Sequence, residues 1–251
     1  MKFRFKAFGL HLLASSAALS TILGGLYLGW YGWPGWVLTD VARVVMVMVG
    51  VDVVLGPTLT FIVARSSKPR RDLARDIAVI VAVQLCALGY GTVSLWNGRP
   101  LYYAFSVSVL QLVQAYDIEG AEAALGRQQN PGLAPHWYSL PRWVWAPLPP
   151  DLATRTKIVT SAITGGDDVT SMPRYFKPWN AGLTDLRATL KKVDDVAYFA
   201  PSEKKTLKER MRAAGFATDE LNAMPLIGRG HPLLAVIDPA TATIKAILRA
   251  K

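Results

Sequence analysis

The sequence has little charge and almost no cysteine. Only 18% of its 251 residues are charged, whereas 51% are hydrophobic. This balance is too apolar for an ordinary water-soluble domain of that length, so part of the chain is expected to contact lipid. The one cysteine, Cys86, lies within an apolar run. A disulfide framework and thiol chemistry are therefore excluded from the rest of the chain.

Sequence patterns typical of catalytic or metal sites are also missing. His136 and His231 stand alone in the sequence, without the paired spacing of a metal centre. There is neither a Gly-x-Ser-x-Gly motif nor a phosphate-binding glycine loop. The segment Gly165 to Asp168 superficially resembles a diguanylate cyclase signature, but its flanks favour a surface turn. We therefore predict no catalytic, cofactor-binding or metal-binding residues, and no cofactor.

Three long apolar runs dominate the first hundred residues. They cover residues 10–30, 44–64 and 77–95. A helix of about 20 apolar residues is long enough to cross the hydrocarbon core of a bilayer. The sequence therefore predicts a membrane α-helical region of three transmembrane helices over residues 1–98. A small α+β domain is expected to follow over residues 99–251.

Basic residues in the short loops predict the orientation of these helices. The segment before the first run and the link between the second and third carry Lys2, Arg4, Lys6, Arg65, Lys68, Arg70, Arg71 and Arg75. Basic residues near a span resist translocation, so the N-terminus is predicted to be cytoplasmic and the C-terminal domain to lie on the far side. Because these charges have a topological use and no nucleic-acid-binding motif is present, no nucleic-acid partner is expected.

Two polar residues interrupt the second and third runs at matching depths. Asp52 and Gln84 each lie about 16 Å from the outer end of their helix, at 1.5 Å per residue. Neighbouring antiparallel helices would bring them to the same depth, where they could hydrogen-bond. Pro57 is expected to kink the second helix, and a neighbour should satisfy the carbonyl that it frees.

Small residues form a stripe on the first helix. Ser16, Ser20 and Gly24 are spaced by four and share one face, which allows another helix to approach closely. Two interpretations of the stripe with Asp52 and Gln84 remain open. These five residues either hold the bundle together or form an intramembrane site that binds a partner's helix, with titration of Asp52 as a further role.

The C-terminal part shows alternating helix and strand patterns. A Pro- and Trp-rich segment, residues 135–150, is expected to be irregular surface structure. Asp151 is placed to cap a helix that ends near residue 164, and Asp238 begins the turn of a terminal hairpin. Strands are predicted over residues 101–107, 109–115, 224–228, 233–238 and 243–248, and further helices over 118–129 and 202–214.

Several of these segments together resemble a known family. The block from Val51 to Thr60, the sequence Leu73 to Ala78, and Gln84 are similar in order and spacing to type IV pilin accessory proteins of the TfpX and TfpZ group. The similarity extends through Tyr90-Gly91 and Arg99-Pro100, and more weakly to the segment Leu226 to Arg229 and the Asp238 hairpin. One departure is the pair Ser108 and Val109, where members often carry Asp-Arg.

The resemblance implies an inner-membrane protein of a Gram-negative bacterium with a periplasmic C-terminal domain. Such a protein assists type IV pilin stability, assembly or pilus dynamics as a non-catalytic chaperone that binds pilin. Its implied partners are the major pilin, the pilus assembly platform and membrane lipid. The alternative is a membrane-anchored enzyme that modifies pilin or a cell-envelope glycan, with Asp167 and Asp168 as candidate residues. A signalling receptor is less favoured because the predicted cytoplasmic segments are short.

Overall fold

The computed structural model describes residues 1–118, 120–216 and 222–250, and the chain divides into two compact units. The first unit comprises Met1–Gly32 and Val41–Arg99. The second comprises Trp33–Asp40 and Pro100–Lys251. A short segment between the first two apolar runs therefore folds with the C-terminal unit.

The first unit consists of helices. Helix α1 covers Lys2–Tyr31, α2 covers Ala42–Val63 and α3 covers Arg70–Asn97. Within the described residues, these three are long and apolar enough to cross a membrane, which confirms the prediction of three such helices. Both α1 and α3 begin several residues before their apolar runs, because Lys and Arg are good helix formers and continue the helix into its polar flank.

One face of α2 packs against the other two helices. Its buried positions recur every four residues, and the residues spaced in this way are Met48, Asp52, Gly56, Thr60 and Ala64. Spacing by four places side chains above one another on a single helix face. On α3, Gly91 makes room for Met48, since a Cβ at Gly91 would lie 2.7 Å from the Met48 side chain. Small and polar residues thus form much of the helix interface.

The second unit is built on a mixed sheet. Its order is β4-β3-β1-β2-β5-β6-β7, where the pairs β1–β3 and β2–β5 are parallel and the others are antiparallel. The strands are β1 Pro100–Ser106, β2 Val109–Gln114, β3 Arg142–Trp145, β4 Lys177–Pro178, β5 Asn222–Ile227, β6 Leu233–Ile237 and β7 Ile244–Arg249. Strands β1 and β6 are buried along their whole length, so the sheet is covered on both faces.

Helices and loops cover the two faces of this sheet. Besides the short helix Gly35–Leu38, the helices are α4 Gly120–Gln129, α5 Leu152–Ile163, α6 Leu183–Thr189 and α7 Pro201–Ala213. Leu186 of α6 packs into the same cluster as Phe105 and Leu226. On the other face, Ile158 of α5 and Leu207 of α7 belong to two separate clusters. A small mixed α and β fold is therefore confirmed for this unit.

Most of the predicted strands and helices are present, but strands β3 and β4 and helix α6 were not predicted. Strand β3 lies inside residues 135–150, which were predicted to be irregular. Its four residues are too few to show a period, and pairing with β1 determines their conformation. Trp143 stacks on Tyr103 at 4.6 Å between ring centres. Glu119, within the helix predicted over 118–129, lies outside the described residues.

The segment Trp33–Asp40 inserts into the core of the second unit. Its Leu38 side chain is fully buried with Leu226 and Leu233. The Gly230 N–H donates a hydrogen bond of 2.6 Å to the Leu38 carbonyl. A side chain at Gly230 would collide with the Val37 carbonyl, so the close approach requires glycine there. This loop is part of the folded sheet domain.

Asp151 caps α5 as predicted. Its carboxylate accepts a 2.8 Å hydrogen bond from the Thr154 N–H, and the hydrogen bonds of Thr154 lower the pKa of Asp151. We expect Asp151→Ala to lower the midpoint of chemical denaturation of the second unit, because the Thr154 N–H loses its capping acceptor. Lys157→Ala, at an exposed position inside α5, is the control and should have a much smaller effect. An equal loss in both variants would contradict the capping role.

Candidate functional site

A proline in α2 exposes a backbone carbonyl at mid-helix. Residues Gly50–Leu55 form a π-helical segment, in which the Gly56 N–H donates to the Val51 carbonyl rather than to that of Asp52. The next residue, Pro57, has no N–H to offer. The Asp52 carbonyl is therefore left without a backbone donor from either residue. Wide turns of this kind relieve the steric conflict that a proline ring creates within a helix.

Gln84 of α3 satisfies that carbonyl. Its Nε2 donates a 3.1 Å hydrogen bond to the Asp52 carbonyl oxygen. The Gln84 side chain lies directly on Gly56, where any Cβ would overlap it. The predicted contact between Asp52 and Gln84 is confirmed, although the acceptor is the Asp52 backbone and not its carboxylate. The expected satisfaction of the carbonyl freed by Pro57 is confirmed as well.

This arrangement leaves two side-chain oxygens without a partner. Asp52 is 4% exposed and Gln84 is 7% exposed. Asp52 Oδ2 and Gln84 Oε1 are buried, and neither has a hydrogen-bond partner among the described residues. Unsatisfied polar atoms at this depth of a membrane helix are costly, and they mark positions where a function is to be sought.

Both residues line a cleft of about 200 Å³ between the three helices. Its α1 wall is made of His11 and three small residues, and its α3 wall is mostly aliphatic. Leu85, on that wall, is 61% exposed, so the cleft opens on the outer surface of the bundle. The remaining lining residues are Ala14, Ser15, Ala18, Val81 and Leu88. We call these residues, with His11, Asp52, Gln84 and Leu85, the intramembrane cleft.

A second polar pair lies on the same face of α2 as Asp52. His11 Nδ1 and Thr60 Oγ1 are 2.5 Å apart. Thr60 is two helical turns from Asp52, and both are buried. The bundle therefore has polar side chains in two successive layers, of which the Thr60 layer is internally paired.

The small-residue stripe does not form part of this cleft. Ser20 is exposed, Ser16 is half-buried, and no described atom beyond the neighbouring backbone of α1 lies within 4 Å of the place where a Cβ of Gly24 would be. No helix of the first unit packs closely at Gly24. The α1 residues that line the cleft are instead His11, Ala14, Ser15 and Ala18, at spacings of three and four. This pattern was readable in the sequence, but alanines are too common in membrane helices to single it out.

The next candidate residues are Asp167 and Asp168 of the second unit, and Asp168 has a structural role. Asp168 Oδ1 accepts a hydrogen bond from the Val169 N–H, and Oδ2 accepts one from Thr170 Oγ1, so Asp168 caps a short 3₁₀ turn. Asp167 lines an open polar hollow of about 490 Å³. Arg229 in that hollow pairs with Asp117 at 2.9 Å.

The hollow offers no recognisable metal centre. Among residues 1–118, 120–216 and 222–250, no group of three or more His, Cys, Asp or Glu side chains is placed to hold a metal ion. The Arg229 guanidinium lies over the Tyr116 ring at 4.3 Å. Burial raises the pKa of Tyr116, although Arg229 opposes this, so the phenol stays protonated at neutral pH. These groups form a compact polar contact between two loops.

The chain is similar in sequence to proteins named as fimbrial assembly proteins. Over 241 residues the chain is 23% identical to the fimbrial assembly protein of serogroup I of Dichelobacter nodosus, and equally to that of serogroup E1. Each match covers 94% of this chain and 91% of the relative. The chain resembles fimbrial assembly proteins. The corresponding fimbrial assembly protein of serogroups C1 and C2 is 28% identical over 116 residues, which cover 46% of this chain and 88% of that protein.

The similarity to fimbrial assembly proteins spans both units. An alignment that covers 94% of the chain cannot be confined to the apolar helices, whose composition alone produces weak matches. No family model matches the chain. No solved structure matches it either.

Proposed function

We propose that this chain assists the assembly of type IV fimbriae by binding the fimbrial subunit, pilin, without catalysing a reaction. The observation that carries the proposal is the full-length similarity to fimbrial assembly proteins. The intramembrane cleft supports it, because unpartnered oxygens in a cleft that opens on the surface of the bundle are suited to contact a further helix. Membership of the TfpX and TfpZ group is part of the proposal.

The proposed location is the bacterial inner membrane, with a cytoplasmic N-terminus and a periplasmic C-terminal domain. The support is the distribution of Lys and Arg, which are concentrated before α1 and between α2 and α3. Pilin, membrane lipid and the pilus assembly platform are the proposed partners. The proposed domain limits remain residues 1–98 and 99–251, with Trp33–Asp40 contributing to the fold of the second unit.

The structural contacts of two acidic side chains of the second unit support the proposal of a non-catalytic role. Asp168 caps a turn and Asp117 pairs with Arg229, so both carboxylates already have structural contacts. Alanine substitution of Asp117, Asp167 and Asp168, one at a time, tests it. Loss of all fimbriation at one of these positions, with the protein still folded, would favour the enzyme.

Affinity purification tests the proposed binding. The full chain, extracted in mild detergent from cells that express the pilin of the same organism, is expected to retain that pilin. The control is an unrelated membrane protein with three helices, purified in the same way. Pilin recovered equally with both proteins, or with neither, would contradict the proposal.

A further inference from the structure

We propose that the intramembrane cleft receives one side chain from the membrane helix of the fimbrial subunit, and that this side chain donates hydrogen bonds to Asp52 and Gln84. The inference rests on the proposed function and specifies its contact. It concerns the chemistry of the partner's side chain and the face of the bundle on which the partner lies.

Two buried acceptor atoms of the cleft have no donor among the described residues. Gln84 donates from Nε2 to the Asp52 carbonyl, and its Oε1 has no hydrogen-bond partner among the described residues. The unpartnered atom of Asp52, Oδ2, is an acceptor when the carboxylate is ionised. An amide NH₂ or an ammonium group on the partner has enough N–H donors to satisfy both oxygens, whereas a hydroxyl would satisfy only one. An aliphatic side chain would leave them buried and unpaired.

The dimensions of the cleft suit one side chain. Its volume of about 200 Å³ is comparable to the roughly 150 Å³ of an engineered protein cavity that binds one benzene molecule. That is room for a single side chain and far too little for a helix. The partner helix must therefore lie across the opening and insert a residue. Ala14, Ser15 and Ala18 on the α1 wall allow its backbone to come close.

If Asp52 and Gln84 only stabilised the bundle, we would expect their side-chain oxygens to have hydrogen-bond partners within it. Polar residues that only hold a bundle together satisfy one another inside it, as His11 and Thr60 do. Asp52 and Gln84 each keep an oxygen that no described residue reaches. Removing the Asp52 carboxylate should therefore not destabilise the isolated bundle, and it should weaken the complex.

Disulfide crosslinking tests which face the partner contacts. In a Cys86→Ser background, single cysteines replace Leu85 or Val83 of α3, and a set of single cysteines is placed along the pilin membrane helix. Both positions are 61% exposed and nearly equal in depth, but only Leu85 lines the cleft. We expect crosslinks to pilin from Leu85→Cys at several times the yield from Val83→Cys.

Substitutions of Asp52 test the hydrogen bonds. Asp52→Leu should lower pilin recovery about fivefold or more, because interhelical hydrogen bonds in membranes contribute on that scale. The same variant should accumulate in the membrane at an equal or higher level. Asp52→Asn keeps an acceptor oxygen and should retain most of the recovery. Within the cleft, Ala18→Leu should also reduce recovery, whereas Ala17→Leu on the neighbouring face should not.

The possible failures can be told apart. Equal crosslinking from Leu85 and Val83, crosslinking from neither, or full pilin recovery with Asp52→Leu would overturn this inference and leave the proposed function standing. Loss of recovery that is matched by loss of the Asp52→Leu protein from the membrane would also overturn it, because Asp52 would then be structural. Failure of the unaltered chain to retain pilin would overturn both proposals.

Discussion

A Leu38→Ala chain is expected to lose about 2 to 5 kcal/mol of the free energy of unfolding of its second unit. Leu38 is fully buried among sheet residues although it belongs to the loop that joins α1 to α2. Truncating it removes a side chain from a closed core and leaves a cavity that the backbone cannot easily fill. The loss should be as large as for a core residue of the sheet itself.

Hydrogen exchange of the full chain in detergent micelles measures this effect. The amides of β5 and β6 should exchange much faster in Leu38→Ala, because these strands contribute the sheet residues that contact the loop. Leu140→Ala makes the same chemical change at a site that is 58% exposed and should leave their exchange nearly unaltered. Unchanged exchange in Leu38→Ala would show that the loop is not part of the core.

Gly230→Ala should disrupt the same contact between the loop and the sheet domain, because Gly230 donates a hydrogen bond to Leu38. The added methyl group would fall on the Val37 carbonyl oxygen, and the nearby backbone must move to admit it. The hydrogen bond from the Gly230 N–H to Leu38 should be lost with that movement. Because both substitutions release the same loop, their effects in the double variant should be smaller than the sum.

Gln84→Leu is expected to cost about 1 to 3 kcal/mol of the stability of the first unit, since it leaves the Asp52 carbonyl buried without a donor. The side chains are similar in size, so little of this loss comes from packing. Unfolding of the full chain in mixed micelles of mild detergent and dodecyl sulfate, followed by tryptophan fluorescence, measures the difference.

Pro57→Ala provides the matched control for Gln84→Leu. Alanine at position 57 restores a backbone N–H, which can donate either within a normal helix or to the Asp52 carbonyl in a wide turn. Gln84→Leu should therefore be much less harmful in the Pro57→Ala background. Strictly additive losses would show that Gln84 contributes through some other contact.

The sequence was most informative where a property depends on local composition. Apolar runs of 19 to 21 residues predicted the three helices, and the matched depths of Asp52 and Gln84 predicted their contact. Asp151 and Asp238 were found because capping and turn formation use atoms only two or three residues apart. In the Asp238 turn, the Ala240 N–H donates to the Asp238 carboxylate at 2.9 Å, as the hairpin prediction requires.

The sequence was least informative about the candidate site. It placed the helix-approach surface at Ser16, Ser20 and Gly24, whereas the cleft is lined by His11, Ala14, Ser15 and Ala18. Every face of a membrane helix is apolar, so hydropathy does not reveal which side packs inward. Whether a partner uses the small-residue stripe as well stays a prediction.

By itself, the sequence determined that the chain has three helices long and apolar enough for a membrane, followed by a mixed α and β domain. Hydrophobic length and strand periodicity are properties of neighbouring residues. Only the tertiary structure decided that the loop at Leu38 belongs to the sheet core, that β3 pairs with β1, and that Gln84 donates a hydrogen bond to the Asp52 carbonyl. These contacts join residues that are 32 to about 190 positions apart, and no local pattern records a distant partner.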